Sequence, residues 1–155
     1  MLNLCSKLTI MEIPTNFYAI ALVVFINFII GWLWYGPLFG KAWALEMKMD
    51  MSKVPEKGIV MKGMLLMLLG NFLMAFVISH DLFAWSHVPG MEKMDEAGMG
   101  PIFATAFFTW IGFYVPTHIG ATTWEGKSWK LTGINLLYHF VTLFVAAFIL
   151  IKMGW

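Results

Sequence analysis

Residues 13–40 read IPTNFYAIALVVFINFIIGWLWYGPLFG, and none of these side chains is charged. An α-helix rises about 1.5 Å per residue, so about 20 apolar residues are enough to cross the hydrocarbon core of a bilayer. A helix also satisfies its own backbone hydrogen-bonding groups, which lipid cannot do. The stretch therefore predicts a helix that spans a membrane.

Three further charge-free stretches follow, at residues 63–80, 97–124 and 131–151. Strands of a membrane barrel would alternate apolar and polar residues, and these stretches do not alternate. The sequence therefore predicts an all-α fold, an integral membrane four-helix bundle that forms a single transmembrane domain over residues 1–155. The predicted helices cover residues of about 14–35, 62–82, 100–120 and 131–152.

The composition supports a membrane protein. Only 12% of the residues are charged, whereas a soluble domain has about a quarter. The net charge is +1 and all ten basic residues are lysines, so nothing favours nucleic acid as a partner. We expect the partners to be membrane lipids, together with further copies of the chain or a larger membrane complex.

The lysines are distributed unevenly between the two sides of the predicted bundle. Seven belong to the first and third connections, namely Lys41, Lys48, Lys53, Lys57, Lys62, Lys127 and Lys130. Three belong to the other side, namely Lys7, Lys93 and Lys152. Lysine-rich connections stay in the cytoplasm. We therefore predict a multi-pass protein of a cytoplasmic (inner) membrane with both termini outside.

The end of the first predicted helix is rich in aromatic residues. Tryptophan and tyrosine rings favour the headgroup level, where the ring body meets lipid and the polar edge meets water. Pro37 cannot donate a backbone hydrogen bond, so we expect the helix to end there and the chain to bend along the membrane surface. The predicted interfacial anchors are Trp32, Trp34, Tyr35, Trp43, Trp110 and Trp124.

Residues 31–43, GWLWYGPLFGKAW, resemble the hallmark motif of a bacterial membrane family catalogued as domain of unknown function 1761. Matching stretches are WIGF at 110–113, WEGK at 124–127, and Asn135 with Tyr138-His139. The resemblance covers roughly residues 14–152. It implies four transmembrane helices and no assigned activity.

The two halves of the chain also resemble each other. Residues 34–37 (WYGP) are similar to residues 113–116 (FYVP), and the second and fourth helices align when Lys62 is set on Lys130. On that register Asn71 corresponds to His139. The pattern predicts two tandem helical hairpins, with chance identity in Leu- and Phe-rich helices as the alternative.

Polar side chains within the predicted helices are the main functional candidates, because such residues often mark solute or proton pathways. We predict an intramembrane polar pocket made of Asn27, Asn71, His118, Asn135 and His139. This cluster forms either a small pocket or a proton or solute path gated by His139. The alternative is structural, since interhelical hydrogen bonds of this type stabilise a bundle by about 0.6 kcal/mol each.

The histidines raise the question of haem and metals. On the helical rise, His80, His118 and His139 differ in depth by about 7 Å or more, which argues against axial ligation of one haem. His80, Asp81 and His87 are weak metal candidates, since imidazole and nearby methionine thioethers suit Cu(I). We expect no metal and no cofactor.

Catalysis has no clear residue set in this sequence. No serine or cysteine nucleophile has a base beside it within a predicted helix, and no metal motif of the H-E-x-x-H type is present. We therefore expect no enzymatic activity. The first hypothesis is a structural or accessory subunit of a membrane assembly, or a homo-oligomer. The alternative is a small solute or ion transporter that uses the Asn/His cluster.

Overall fold

The computed structural model describes residues 14–50 and 56–155, so Lys7 and Lys53 of the lysine count lie outside the described residues. Within the described ranges the chain is helical. The helices are α1 (Phe17–Leu33), α2 (Gly40–Glu46), α3 (Lys57–Trp85), α4 (Gly100–Thr109), α5 (Val115–Trp124) and α6 (Trp129–Met153).

Within residues 14–50 and 56–155, four segments are long and apolar enough to cross a membrane, and they confirm the all-α fold class. The first span is Phe17–Leu38, the second Lys57–Trp85, the third Gly100–Trp124 and the fourth Trp129–Met153. The second span is longer than the predicted 62–82, because the helix begins at Lys57 and ends at Trp85. Lysines are tolerated near the end of a span because their side chains reach the interface.

Two π turns carry the first and third spans past their prolines. A proline ring clashes with the carbonyl four residues earlier, and a wider turn relieves that clash. The first π turn is Trp34–Leu38, where the Phe39 N–H donates to the Trp34 carbonyl at 2.8 Å. The second is Trp110–Tyr114, just before Pro116. The first span therefore ends after Pro37 rather than at it, and α2 follows at once.

Hydrogen bonds define the two ends of the bundle. At the terminal end, where α1 begins and α6 ends, Asn16 Oδ1 accepts from the Ala19 N–H at 3.1 Å, and its Nδ2 donates to the Met153 carbonyl at 3.1 Å. At the loop end, where α2 lies beside the start of α6, Ser128 Oγ donates to Glu46 Oε2 at 2.6 Å. The first and third connections therefore share the loop end.

The spans form two hairpins that join along one side. The first span packs against α3, the third span packs against α6, and α1 packs against α6. The spatial order is therefore third, fourth, first, second. The second and third spans pack mainly against α1 and α6 rather than against each other, so the bundle is open between them.

The core lies in the terminal half and joins α1, α3, α4 and α6. Lipid is as apolar as these side chains, so close packing rather than water exclusion holds the helices together. Fully buried alanines allow the close approach, namely Ala19, Ala75, Ala106, Ala146 and Ala147. Larger fully buried side chains such as Ile20, Leu143 and Leu150 fill the space between them.

Candidate polar cleft between the second and third spans

His139 of α6 lies at the centre of a group of aromatic rings. Its ring centroid is 4.4 Å from that of Tyr114, 5.1 Å from that of His118 and 5.2 Å from that of Tyr138. Among the described residues, His139 has no hydrogen-bond partner on its ring, and the residue lines two cavities. The third and fourth spans thus bring two imidazoles into direct contact.

This contact corrects the depth estimate from the sequence, which separated His118 from His139 by about 7 Å along the helix axis. A helical side chain leans toward the N-terminus of its own helix. The third and fourth spans are antiparallel, so the two side chains lean toward each other and close the offset. The rings meet edge to face, and no room for an iron atom is left between them.

The hydrogen bonding of His118 fixes its tautomer. Its Nδ1 lies 2.9 Å from the Tyr114 carbonyl oxygen, four residues earlier in the chain. A carbonyl oxygen only accepts, so Nδ1 carries the proton and donates it. In the neutral ring Nε2 therefore has the free lone pair. His118 can take up a proton at Nε2 while Nδ1 remains bonded to the backbone.

A cleft of about 570 Å³ opens between the second and third spans. This volume is in the range of pockets that hold small molecules. Most of its wall is apolar, contributed by residues such as Leu73, Met74, Val77 and Phe113. Its polar lining consists of Asp81, Thr109, Tyr114, Thr117, His118 and His139. Few polar groups on an apolar wall are typical of a site that orients a small ligand.

Two smaller cavities adjoin the cleft and share its histidines. A cavity of about 260 Å³ lies behind His139 and is also lined by Asn71, Tyr138 and Thr142. A loop-end cavity of about 200 Å³ lies beyond His118 and is also lined by Glu125, Lys127 and Asn135. His139 therefore belongs to the walls of two cavities, and so does His118.

The structure places four of the five predicted pocket residues on these cavities. Asn71 and His139 line the cavity of about 260 Å³, and His118 and Asn135 line the loop-end cavity.

Asn27 lies apart from the other four predicted pocket residues. It is fully buried on α1, where its Nδ2 donates to the Thr142 carbonyl at 3.3 Å. Its Oδ1 is buried without a partner among the described residues. Asn27 thus joins α1 to α6 behind the cavities.

Three of the six predicted interfacial anchors point into the bundle instead. Trp34 is only 8% exposed, and its Nε1 donates to the Ile134 carbonyl at 3.2 Å. Trp110 Nε1 donates to the Leu136 carbonyl at 2.8 Å. Tyr35 Oη donates to Asn135 Oδ1 at 3.0 Å. The N–H or O–H group of each ring donates to an acceptor on α6, so it does not require a hydrogen-bond partner at the membrane surface.

The other predicted anchors remain at the surface to different degrees. Trp124 is 88% exposed and Trp32 is 64% exposed, as expected for rings that meet lipid or headgroups. Trp43 on α2 is half-buried, with its ring centroid 5.5 Å from that of Tyr35.

The weak metal candidates do not converge. The Nδ1 atoms of His80 and His87 face the carbonyls of Phe76 and Phe83 at 2.8 and 2.9 Å, so each donates to the residue four positions earlier in the chain. Asp81 faces the cleft. In residues 14–50 and 56–155 no three acidic, histidine or cysteine side chains form a group that could hold a metal ion.

Sequence reasoning missed several residues that complete the site. Tyr114 and Tyr138 flank His139, and Asp81 lies at the terminal end of the cleft. Tyr138 directly precedes His139, and Asp81 follows a charge-free stretch, but neither signal indicates which way a side chain points. The direction of each side chain depends on the order of the helices in space, which could not be predicted from the sequence.

The sequence pattern of one protein family matches residues 18–151, and that family is described as "Protein of unknown function (DUF1761)". The chain belongs to this family. The DUF1761 match covers nearly all of the four spans, which agrees with the resemblance seen in the motifs. No curated protein and no solved structure matches the chain.

The stretches that carried the resemblance to DUF1761 come together around the start of α6. Trp34 and Tyr35 from the first stretch bond to Ile134 and Asn135, and Trp110 from the second bonds to Leu136. Glu125 and Lys127 from the third line the loop-end cavity. Residues scattered over the whole chain thus surround the cavities that adjoin His118 and His139.

Proposed function

We propose that this protein carries a small solute or ion across a membrane and binds it in the cleft between the second and third spans. The observation that carries the proposal is the placement of His118 and His139 in the walls of several cavities. Polar groups inside a span are costly unless they are paired or functional. His139 has ring contacts but no ring hydrogen bond among the described residues, so a purely structural role leaves its nitrogens unexplained.

The size and chemistry of the cleft support a small occupant. About 570 Å³ accommodates a molecule of modest size, and the polar lining offers a carboxylate at one end and two imidazoles at the other. Such a surface can bind a solute that is partly apolar and carries one hydrogen-bonding or charged group. The proposal includes no chemical conversion.

The proposed setting is the inner membrane of a bacterium with both termini outside. The support for this orientation is the lysine distribution, because residues 41–48, 57–62 and 127–130 lie toward the loop end. In this orientation Asp81 faces the outer half of the membrane and Glu125 faces the cytoplasm.

A thermal-stability screen followed by transport assays tests the carrier function. The purified protein is heated in detergent with a panel of small anionic, cationic, zwitterionic and neutral solutes. Each solute that raises the melting temperature is then tested for uptake into vesicles that contain the protein. We expect uptake by the native protein, loss of uptake in His139→Leu, and normal uptake in the control His87→Leu, which lies off the cleft.

Two outcomes would overturn the carrier function. One is that neither protons nor any solute of the panel enter protein-containing vesicles faster than protein-free vesicles. The other is that a folded His139→Leu variant transports as fast as the native protein. Thermal melting of each variant without solute shows whether its fold is intact.

A second candidate is a structural role, as a homo-oligomer or as an accessory subunit of a membrane assembly. The observation that favours it is the open side of the bundle, where the second and third spans lack packing against each other. Native purification in mild detergent tests it. Co-purification with other membrane proteins, or a mass of several protomers, supports this role, whereas a single protomer without partners contradicts it.

A further inference from the structure

The cleft and the loop-end cavity together extend over most of the third span. Along this span the cleft is lined from Thr109 to His118, and the loop-end cavity is lined from Thr117 to Glu125. The seventeen residues from Thr109 to Glu125 cover about 24 Å on the helical rise. The hydrocarbon core of a bilayer is about 30 Å thick. The two cavities thus almost cross the membrane.

Titratable groups mark both ends and the middle of this route. Asp81 from α3 lines the cleft toward the terminal end, and Glu125 lines the loop-end cavity. His118 belongs to both walls, and His139 contacts it at a centroid distance of 5.1 Å. Series of carboxylates and imidazoles inside a membrane protein are typical of proton relays.

We propose that this series conducts protons between the two membrane surfaces, from Asp81 through His139 and His118 to Glu125 or in reverse. The inference rests on the carrier function proposed above and names the ion that moves. Water that enters the cleft delivers a proton to Asp81, and water in the cleft passes it on to the imidazole pair. The loop-end cavity then receives it from His118.

At His118 the same ring nitrogen, Nε2, accepts the proton and releases it. The proton adds to the Nε2 lone pair and gives an imidazolium, while the Nδ1–H remains bonded to the Tyr114 carbonyl. Release of the same proton from Nε2 to a water in the loop-end cavity restores the neutral ring. Glu125 accepts the proton as a carboxylate and loses it to bulk water. One positive charge crosses per cycle, and no redox partner is needed.

The groups around the imidazole pair are compatible with this role. Tyr114 from the third span and Tyr138 from α6 contact the His139 ring. Asp81 is the titratable group that α3 places on the cleft. At the loop end Lys127 Nζ forms an ion pair with Glu125 Oε2 at 2.7 Å. Among the described residues, no lysine lines the cleft itself.

A vesicle assay measures the proton movement directly. The native protein is reconstituted in vesicles that contain a pH-sensitive dye, and valinomycin with a potassium gradient sets an inside-negative membrane potential. We expect faster internal acidification than in protein-free vesicles. Acidification falls to the protein-free rate in His118→Gln and His139→Gln, and stays at the native rate in the control His87→Gln.

The two end carboxylates provide variants that do not disturb the core. Asp81 and Glu125 are exposed, so Asp81→Asn and Glu125→Gln are expected to fold. Both should slow acidification, because each removes a proton acceptor at one mouth of the route. The inference is overturned when native vesicles acidify no faster than empty ones, or when the folded carboxylate and histidine variants all acidify at the native rate.

The failure of this inference can be distinguished from failure of the carrier function. Solute uptake without potential-driven acidification overturns the proton route and leaves the carrier intact. Acidification without uptake of any solute in the panel supports the proton route and restricts the carrier function to protons.

Discussion

Tyr35 Oη donates a hydrogen bond to Asn135 Oδ1 across 3.0 Å, and this bond connects the first span to the fourth at the edge of the loop-end cavity. The ring of Tyr35 also contacts Tyr138, with a centroid distance of 5.0 Å. The first hairpin is therefore attached to the second beside the residues that surround His139. This attachment positions α6, and with it both the imidazole pair and the loop-end cavity.

Tyr35→Phe removes this hydrogen bond and keeps the ring. Interhelical hydrogen bonds in membrane proteins contribute about 0.6 kcal/mol on average, so we expect a loss of unfolding free energy of that order. The measurement is reversible unfolding in mixed micelles. Tyr18→Phe is the matched control, since Tyr18 is 87% exposed. Equal stability of the two variants would contradict the role given to the Tyr35–Asn135 bond.

Two neighbouring tryptophans should differ in their contact with lipid. Trp32 is exposed, whereas Trp34 is buried and bonded to the Ile134 carbonyl. In single-tryptophan variants reconstituted with brominated lipids, the fluorescence of Trp32 should be quenched much more strongly than that of Trp34. Equal quenching would restore the sequence-based view of Trp34 as an interfacial anchor.

The turn between the first span and α2 depends on the lack of a side chain at Gly40. A Cβ atom at this position would lie 2.7 Å from the Tyr35 backbone oxygen, which cannot move without changing the π turn. We expect Gly40→Ala to destabilise the fold by about 1–3 kcal/mol, the usual range for overpacking. In the control Gly36→Ala the Cβ meets no atom within 4 Å, so its unfolding free energy should not fall. Denaturant unfolding of both variants decides this, and a loss in Gly36→Ala as large as that in Gly40→Ala would argue against the steric cause.

The number and type of the helices could be predicted from the sequence because charge is excluded from lipid. The four charge-free stretches therefore coincide with the four spans. Helix ends were predicted less well. Pro37 was expected to end the first helix, but a π turn lets the backbone pass it, and that choice depends on the packing of Trp34 and Tyr35 against α6.

The site could be predicted only in part. Asn71, His118, Asn135 and His139 were selected because polar side chains inside a span are unusual, and the structure places all four on adjoining cavities. The contact between His118 and His139 could not be derived from the depth of their backbone positions alone. In antiparallel helices the two side chains lean toward each other, which reduces the distance between the rings. The position of Asp81 on the cleft depends on which helices are neighbours in the bundle. The charge-free stretches resemble one another and do not indicate that order.

The ion pair and hydrogen bond of Glu46 predict a pH dependence at the loop end. Ser128 Oγ donates to one carboxylate oxygen at 2.6 Å, and Lys130 Nζ lies 3.4 Å from the other. The hydrogen bond from Ser128 and the charge of Lys130 lower the pKa of Glu46 below its ordinary value of 4.5. The folded protein therefore binds fewer protons than the unfolded chain between these two pKa values, and its stability rises with pH in that window.

This contribution is fully present above pH 4.5 and is lost as the pH falls through the lowered pKa of the folded state. The native protein should be more stable than Glu46→Gln at neutral pH, and the difference should shrink on acidification. Denaturant unfolding of both proteins over a series of pH values measures it. Glu56→Gln is the control, because the exposed Glu56 makes no side-chain capping bond at the start of α3. A difference that stays constant with pH would show that the carboxylate charge of Glu46 does not stabilise the contact with α6.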